Sequence, residues 1–236
     1  MGRNNVINLK IPTKSSLSTP LRILLVITAL CVILVAVIVF RYSYDTLTIA
    51  ESGIGFAILL ASGGSVWWAG RRLMDEASGA AVRLGYALGQ LWMVEIGINN
   101  FIAPPLPARD IIDDLFWGAI AAAIFLQALI QAYRARSFLT GLRAGIWSGW
   151  VSGTLACVMA LAMIVLGMSW ILQDPLNVSE WAARSAAAKA PGMAAYFAYE
   201  TFAGAFLHLT VLGPVMGGLL GSLGGILGKG IRWVRR

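Results

Sequence analysis

Residues 21–40 read LRILLVITALCVILVAVIVF. After Arg22, eighteen residues run without a charge, and Thr28 is the only hydroxyl among them. A bilayer core about 30 Å thick needs about 20 apolar residues in a helix that rises about 1.5 Å per residue. The run has that length. It is longer than the roughly 7–15 residue core of a cleaved signal peptide, and no small-x-small cleavage site precedes Arg41. Leu21–Phe40 is therefore expected to be a retained first membrane span.

The rest of the chain has the same character. Of 236 residues, 58% are hydrophobic and 12% charged, against about 25% charged in a soluble domain. Too little solvating charge remains for a soluble or a disordered chain, and two cysteines exclude a disulfide scaffold. Five further stretches read as spans: Gly53–Gly70, Leu84–Ala103, Leu115–Tyr133, Ala144–Leu172 and Tyr196–Gly228. The expected fold class is all-α, a polytopic bundle of six transmembrane helices. Residues 1–20 form a flexible leader, 21–228 the membrane domain and 229–236 a basic tail.

Fourteen of the 18 basic residues then fall on one side: the leader, the loops carrying Arg71, Arg72 and Arg83 and Arg134, Arg136 and Arg143, and the tail. Cytoplasmic loops retain Lys and Arg, so both termini are predicted to be cytoplasmic, with the chain in the cell (inner) membrane. The net charge of +7 is accounted for by a rim lying on anionic lipid, with no nucleic-acid partner. Most tryptophans fall near span ends, where an amphipathic ring prefers to sit. Trp67, Trp68, Trp147, Trp150 and Trp233 are expected at the inner interface, and Trp92 is deeper. Cys31 and Cys157 lie in separate spans and are read as reduced, packed thiols.

Glycine is concentrated toward the basic side. Gly145, Gly149 and Gly153 recur every fourth residue, as do Gly213, Gly217, Gly221 and Gly225. Such ladders let helix backbones approach closely where lipid removes any hydrophobic drive between helices. They predict intramolecular packing first, and alternatively a seam to a second copy or to a partner membrane subunit. Pro214 predicts a kink near His208–Gly213.

Ionisable groups inside a membrane seldom face lipid. Glu95, with Asn99 one turn beyond it, and Glu200 and His208 on the last span are expected to converge on one polar, outward-facing pocket floored by glycine-packed helices. These four are the candidate ligand- or ion-binding residues. Asp113 or Asp114 is read as the N-cap of the fourth span, and Ser179–Ala190 as a short surface helix.

No catalytic residue, cofactor or metal is assigned. One histidine excludes bis-histidine haem, and neither HExxH nor GxxxxGK[ST] is present. The expected function is a transport or substrate-capture component. The alternative is a non-catalytic structural or regulatory subunit assembling through its glycine ladders. An intramembrane lipid enzyme using Glu95 and His208 is the third class.

Overall fold

The computed structural model describes residues 18–43, 46–188 and 190–234, and among them every regular element is helical. Most of the expected leader and the end of the basic tail lie outside the described residues.

Helix α1, Thr19–Tyr42, shows how the bundle meets its surroundings. One stripe, Leu21, Leu24, Thr28, Cys31, Val35, Ile38 and Tyr42, is buried. The opposite stripe, Ile23, Val26, Leu30, Ile33, Val37 and Phe40, is exposed and equally apolar. A helix at a water-facing surface would be polar on that side, whereas a helix apolar all round belongs in lipid. Seven of these buried side chains recur at steps of three and four, the period of a helix face.

The remaining helices are α2 Thr46–Arg72, α3 Glu76–Gly97, α4 Leu106–Ala135, α5 Phe138–Leu166, the single turn α6 Met168–Ile171, α7 Pro175–Ala188, α8 Met193–Leu207 and α9 Gly217–Val234. Two wide π-helical stretches interrupt them. Ile98–Ile102 extends α3, and His208–Met216 joins α8 to α9. Among the described residues five helices are long and apolar enough to cross a membrane: Thr19–Tyr42, Ile49–Arg72, Leu106–Ala135, Phe138–Leu166 and the continuous Met193–Ile231. The expected third span corresponds to α3 and its π-helical extension. By length and composition α3 is not among the five, because Glu76, Arg83, Gln90 and Glu95 dilute its apolar residues.

Several boundaries move from their expected places. The fourth helix starts at Leu106, nine residues before the apolar run does, with Pro105 at its N-cap and Pro107 in the first turn. Proline is tolerated there because the first turn's N–H groups have no intrahelical acceptor. The fifth helix runs from Phe138, capped by the Ser137 side chain accepting from Thr140 N–H. It stops at Gly167, not at Leu172. The expected surface helix is α7, which begins at Pro175 and not at Ser179. The kink expected from Pro214 takes the form of the π-helical stretch. Proline lacks an N–H and crowds the preceding turn, and a wider turn relieves that crowding.

Helix α5 is the centre of the bundle and packs against α1, α3, α4, α8 and α9. Its small residues allow this. A side chain on Gly145 would run into Gly217 and Gly221. A Cβ on Gly217 would lie 2.6 Å from Gly145 O, one on Gly149 2.5 Å from Leu212 O, and one on Gly153 2.6 Å from His208 O. On the opposite helix a Cβ at Gly221 would lie 2.9 Å from Leu142 O, at Gly225 2.9 Å from Phe138 O, and at Gly213 3.1 Å from Trp150 Cα. The two ladders therefore face each other within one chain. Gly224 and Gly228 meet the α4 backbone at Phe125 and Leu129 in the same way, and Gly85 and Gly89 of α3 meet Val151 and Leu155. The buried hydroxyls of Ser148, Ser152 and Thr154 bond to carbonyls of their own helix, at Ala144, Gly149 and Trp150.

At the basic end, the Arg71 and Arg72 guanidinium groups lie over the half-exposed rings of Trp67 and Trp68, at 5.0 and 5.3 Å. Trp147 departs from the interfacial expectation. It is buried and stacked on Trp150, whose indole N–H donates to Ser62 Oγ at 2.8 Å. Cys31 and Cys157 are both free and buried, and their thiols touch between α1 and α5.

Candidate functional site

The end of α3 and the beginning of α4 form a helical hairpin around Ala103-Pro104-Pro105. Ala103 takes a left-handed φ of 49° and closes the π-helical turn with its N–H on Ile98 O. Because α4 begins as early as Leu106, Asp113 lies two turns inside the helix. It is not a cap, and it faces the end of α3.

There, one amide ties two carboxyl groups together. Asn99 Nδ2 donates to Glu95 Oε1 at 2.5 Å and to Asp113 Oδ1 at 2.6 Å. Glu95 is buried, at 6% exposure, and Asn99 and Asp113 are half-buried. Both hydrogens of the amide are used, while Asn99 Oδ1 is buried without a hydrogen-bonding partner. Asn100 bonds separately to Ile96 O at 2.8 Å.

An aromatic layer lies beneath. Trp92 is one turn before Glu95, and Trp117 one turn after Asp113. Their rings meet edge to face at 4.6 Å. His208 packs against both, 5.1 Å from Trp92 and 5.8 Å from Trp117. Its Nδ1 lies 2.9 Å from Gly204 O. A carbonyl can only accept, so Nδ1 carries the hydrogen, and in the neutral ring Nε2 keeps the lone pair. Trp92 is fully buried, and its Nε1 has no hydrogen-bonding partner.

Both π-helical stretches touch this assembly. Asn99 lies in the first, and His208 opens the second. Wide turns of this kind occur frequently at functional sites.

The four residues expected to converge do so only in part. Glu95 and Asn99 are bonded. His208 lies one layer below them, among the aromatic rings. Glu200 is elsewhere: it is exposed, and its charged neighbours are Glu180 and Arg184 of α7. Those two form an ion pair at 3.3 Å, and Tyr196 donates to Glu180 at 3.1 Å. The cause is angular. Eight residues of α-helix turn about 80° beyond two full revolutions, so Glu200 and His208 do not share a face. Gly204, midway between them, has nothing within 4 Å of where its side chain would be.

Asp113 is the residue that sequence reasoning misassigned. Its i, i+4 spacing to Trp117 is the signal that carries it, once the prolines are read as the first turn of a helix and not as a loop.

Further out, Arg109 of α4 pairs with Asp174, between α6 and α7, at 3.0 Å. Phe101 meets Trp170 edge to face at 5.0 Å. These contacts hold the hairpin to α6. Three cavities, of about 360, 190 and 200 Å³, are lined by residues other than the Glu95 cluster. The largest of the three lies at the arginine-rich end. Among the described residues no three His, Cys, Asp or Glu side chains gather as a metal-ligand set.

No family model matches the chain, and no curated protein or solved structure shows significant similarity to it.

Proposed function

We propose that the chain is a multi-pass protein of the cell (inner) membrane, a transport or substrate-capture component whose Glu95–Asn99–Asp113 cluster exchanges a proton or a small cation. One observation carries this reading. Two carboxyl groups from different helices share a single amide nitrogen within a bundle whose outer surface is apolar.

The chemistry follows from counting donors and acceptors. Glu95, Asp113 and Asn99 Oδ1 are acceptors, and the amide supplies the only donor among the three side chains. Two neighbouring carboxylates out of water repel each other strongly, and a proton or a cation between them relieves the repulsion. An acceptor-rich site therefore suits a ligand that is positively charged or rich in N–H or O–H groups. Next to it, the packed rings of Trp92, Trp117 and His208 form an aromatic floor.

In this reading α3 also crosses the membrane. Among its polar residues Glu95 is sheltered, on the buried face from Ala81 to Ile96 that packs on α5, whereas Glu76, Arg83 and Gln90 are exposed. That makes six spans with both termini on the cytoplasmic side. Arg71, Arg72, Arg83, Arg134, Arg136 and Arg143 support this through the positive-inside rule. The alternative, a structural or regulatory subunit docking through glycine ladders, has weaker support, because the facing ladders of α5 and α9 cover each other.

The test is to reconstitute the full chain in vesicles and follow proton and Na⁺ flux with entrapped dyes. E95Q and D113N are expected to abolish the flux of the wild-type chain. Infrared spectroscopy across a pH titration should show a carboxylic C=O band that either variant removes. Flux equal to wild type in both variants would overturn the reading.

A further inference from the structure

The cavity at the arginine-rich end belongs to none of this machinery. It has a volume of about 360 Å³ and lies between the start of α1, the end of α2 and the first turns of α3. Arg71 and Arg83 line it from two different helices, with Ser18, Pro20, Met74 and Val82 around them. Its size is within the range of pockets that hold small ligands, about 300–1,000 Å³.

Two acceptors of the wall are already engaged. Tyr86 donates its hydroxyl hydrogen to Pro20 O at 2.7 Å, which fixes the start of α1 to α3. Asp75, the acidic member of the lining, accepts the Ser78 N–H at 2.7 Å as the N-cap of α3 and has Arg143 as its charge neighbour. The cationic residues of the lining are Arg71 and Arg83, and each guanidinium is a planar fork suited to two oxygens of a phosphate.

The level of the cavity identifies the source of the phosphate. Trp67 lies under Arg71 and Trp68 under Arg72, and both rings are half-exposed. Tryptophan of this kind marks the headgroup layer of a bilayer. Pro20 and Met74 give the cavity apolar surface beside the arginines, as a lipid's glycerol region requires and a free ion does not. We propose that this cavity binds the phosphate headgroup of an anionic membrane lipid, held by Arg71 and Arg83. Basic pockets between spanning helices on the cytoplasmic side are a recurrent setting for such headgroups.

The test is native mass spectrometry of the detergent-solubilised full chain, titrated with phosphatidylglycerol, phosphatidylcholine or inorganic phosphate. Wild-type protein is expected to retain phosphatidylglycerol over phosphatidylcholine. The R71Q/R83Q variant should bind phosphatidylglycerol roughly tenfold or more weakly, with an unchanged thermal midpoint. A control, R136Q/K229Q, removes the same charge from exposed positions outside the cavity and should bind as wild type does. Equal loss in the control, or unchanged binding in R71Q/R83Q, would overturn the proposal. Displacement of the lipid by millimolar inorganic phosphate would also overturn it, by assigning the site to a soluble anion.

Discussion

Asn99 and Asp113, fourteen positions apart on opposite sides of a proline-rich turn, are joined by a 2.6 Å N–H···O bond. The same amide nitrogen holds Glu95. Removing this donor leaves two acceptors unpaired where water is scarce, at a cost of about 1–3 kcal/mol. N99L should therefore lower the thermal midpoint in detergent, and N99D, which adds a third carboxyl, should lower it further. D113N replaces a repelling acceptor with a group that can donate, so it should be the mildest of the three. The order of the midpoints is the measurement, and N99L melting with the wild type would contradict the bond's role.

The ladder contacts differ sharply from one glycine to the next. G217V puts a branched side chain where even a Cβ would lie 2.6 Å from Gly145 O. Overpacking of this kind costs about 1–3 kcal/mol, and backbone cannot yield as a side chain can. Gly218, the next residue, has nothing within 4 Å. G218A should be neutral or stabilising by up to about 1 kcal/mol, from helix propensity. Unfolding in graded SDS, followed by circular dichroism, separates the two. Equal behaviour would mean that the α5–α9 face is not closely packed.

The Arg109–Asp174 pair is shielded, with side-chain exposures of 16% and 4%. Asp174 also accepts from Leu176 N–H at 3.0 Å. Breaking a buried pair from one side leaves an uncompensated charge, at about 3–5 kcal/mol. D174A should thus be more damaging than the double variant R109M/D174A, and added salt should change neither. R184A, which removes the exposed partner of Glu180, should leave the midpoint where it is. A double-mutant cycle by thermal melting tests all of this.

Asp75 supplies a pH dependence. Burial pushes its carboxyl up, but Ser78 and the Arg143 guanidinium outweigh this and hold it below its ordinary value. A carboxyl held low in the folded state contributes stability that is fully present above its unfolded pKa, about 3.9. That contribution is lost as pH falls through the folded pKa. At pH 7, D75A should cost about 0.5–2 kcal/mol, the usual range for an N-cap. The gap between D75A and wild type should narrow below about pH 4. A gap constant down to pH 3 would refute the assignment.

The sequence made the helices visible because lipid demands long apolar runs, and the glycine ladders because their four-residue period is a property of one helix. Helix starts were harder to read. Leu106 begins α4 ahead of its apolar run because proline suits a first turn, and that shift turns Asp113 from a cap into a partner of Glu95. Glu95 and Asn99 could be paired from spacing alone, being i and i+4. The angle between Glu200 and His208 is in their spacing, but the neighbours of Glu200 depend on how α7 lies over α8, and that relation leaves no periodic trace in either segment. The aromatic layer escaped for the same reason: Trp92, Trp117 and His208 come from three helices, and only packing brings them together.

The stretch His208–Met216 holds surplus backbone. It begins at the histidine that packs on the two indoles and it contains Gly213, which lies against Trp150 of α5. One run of widened backbone therefore sets the position of the aromatic layer and the entry into the close-set glycines together.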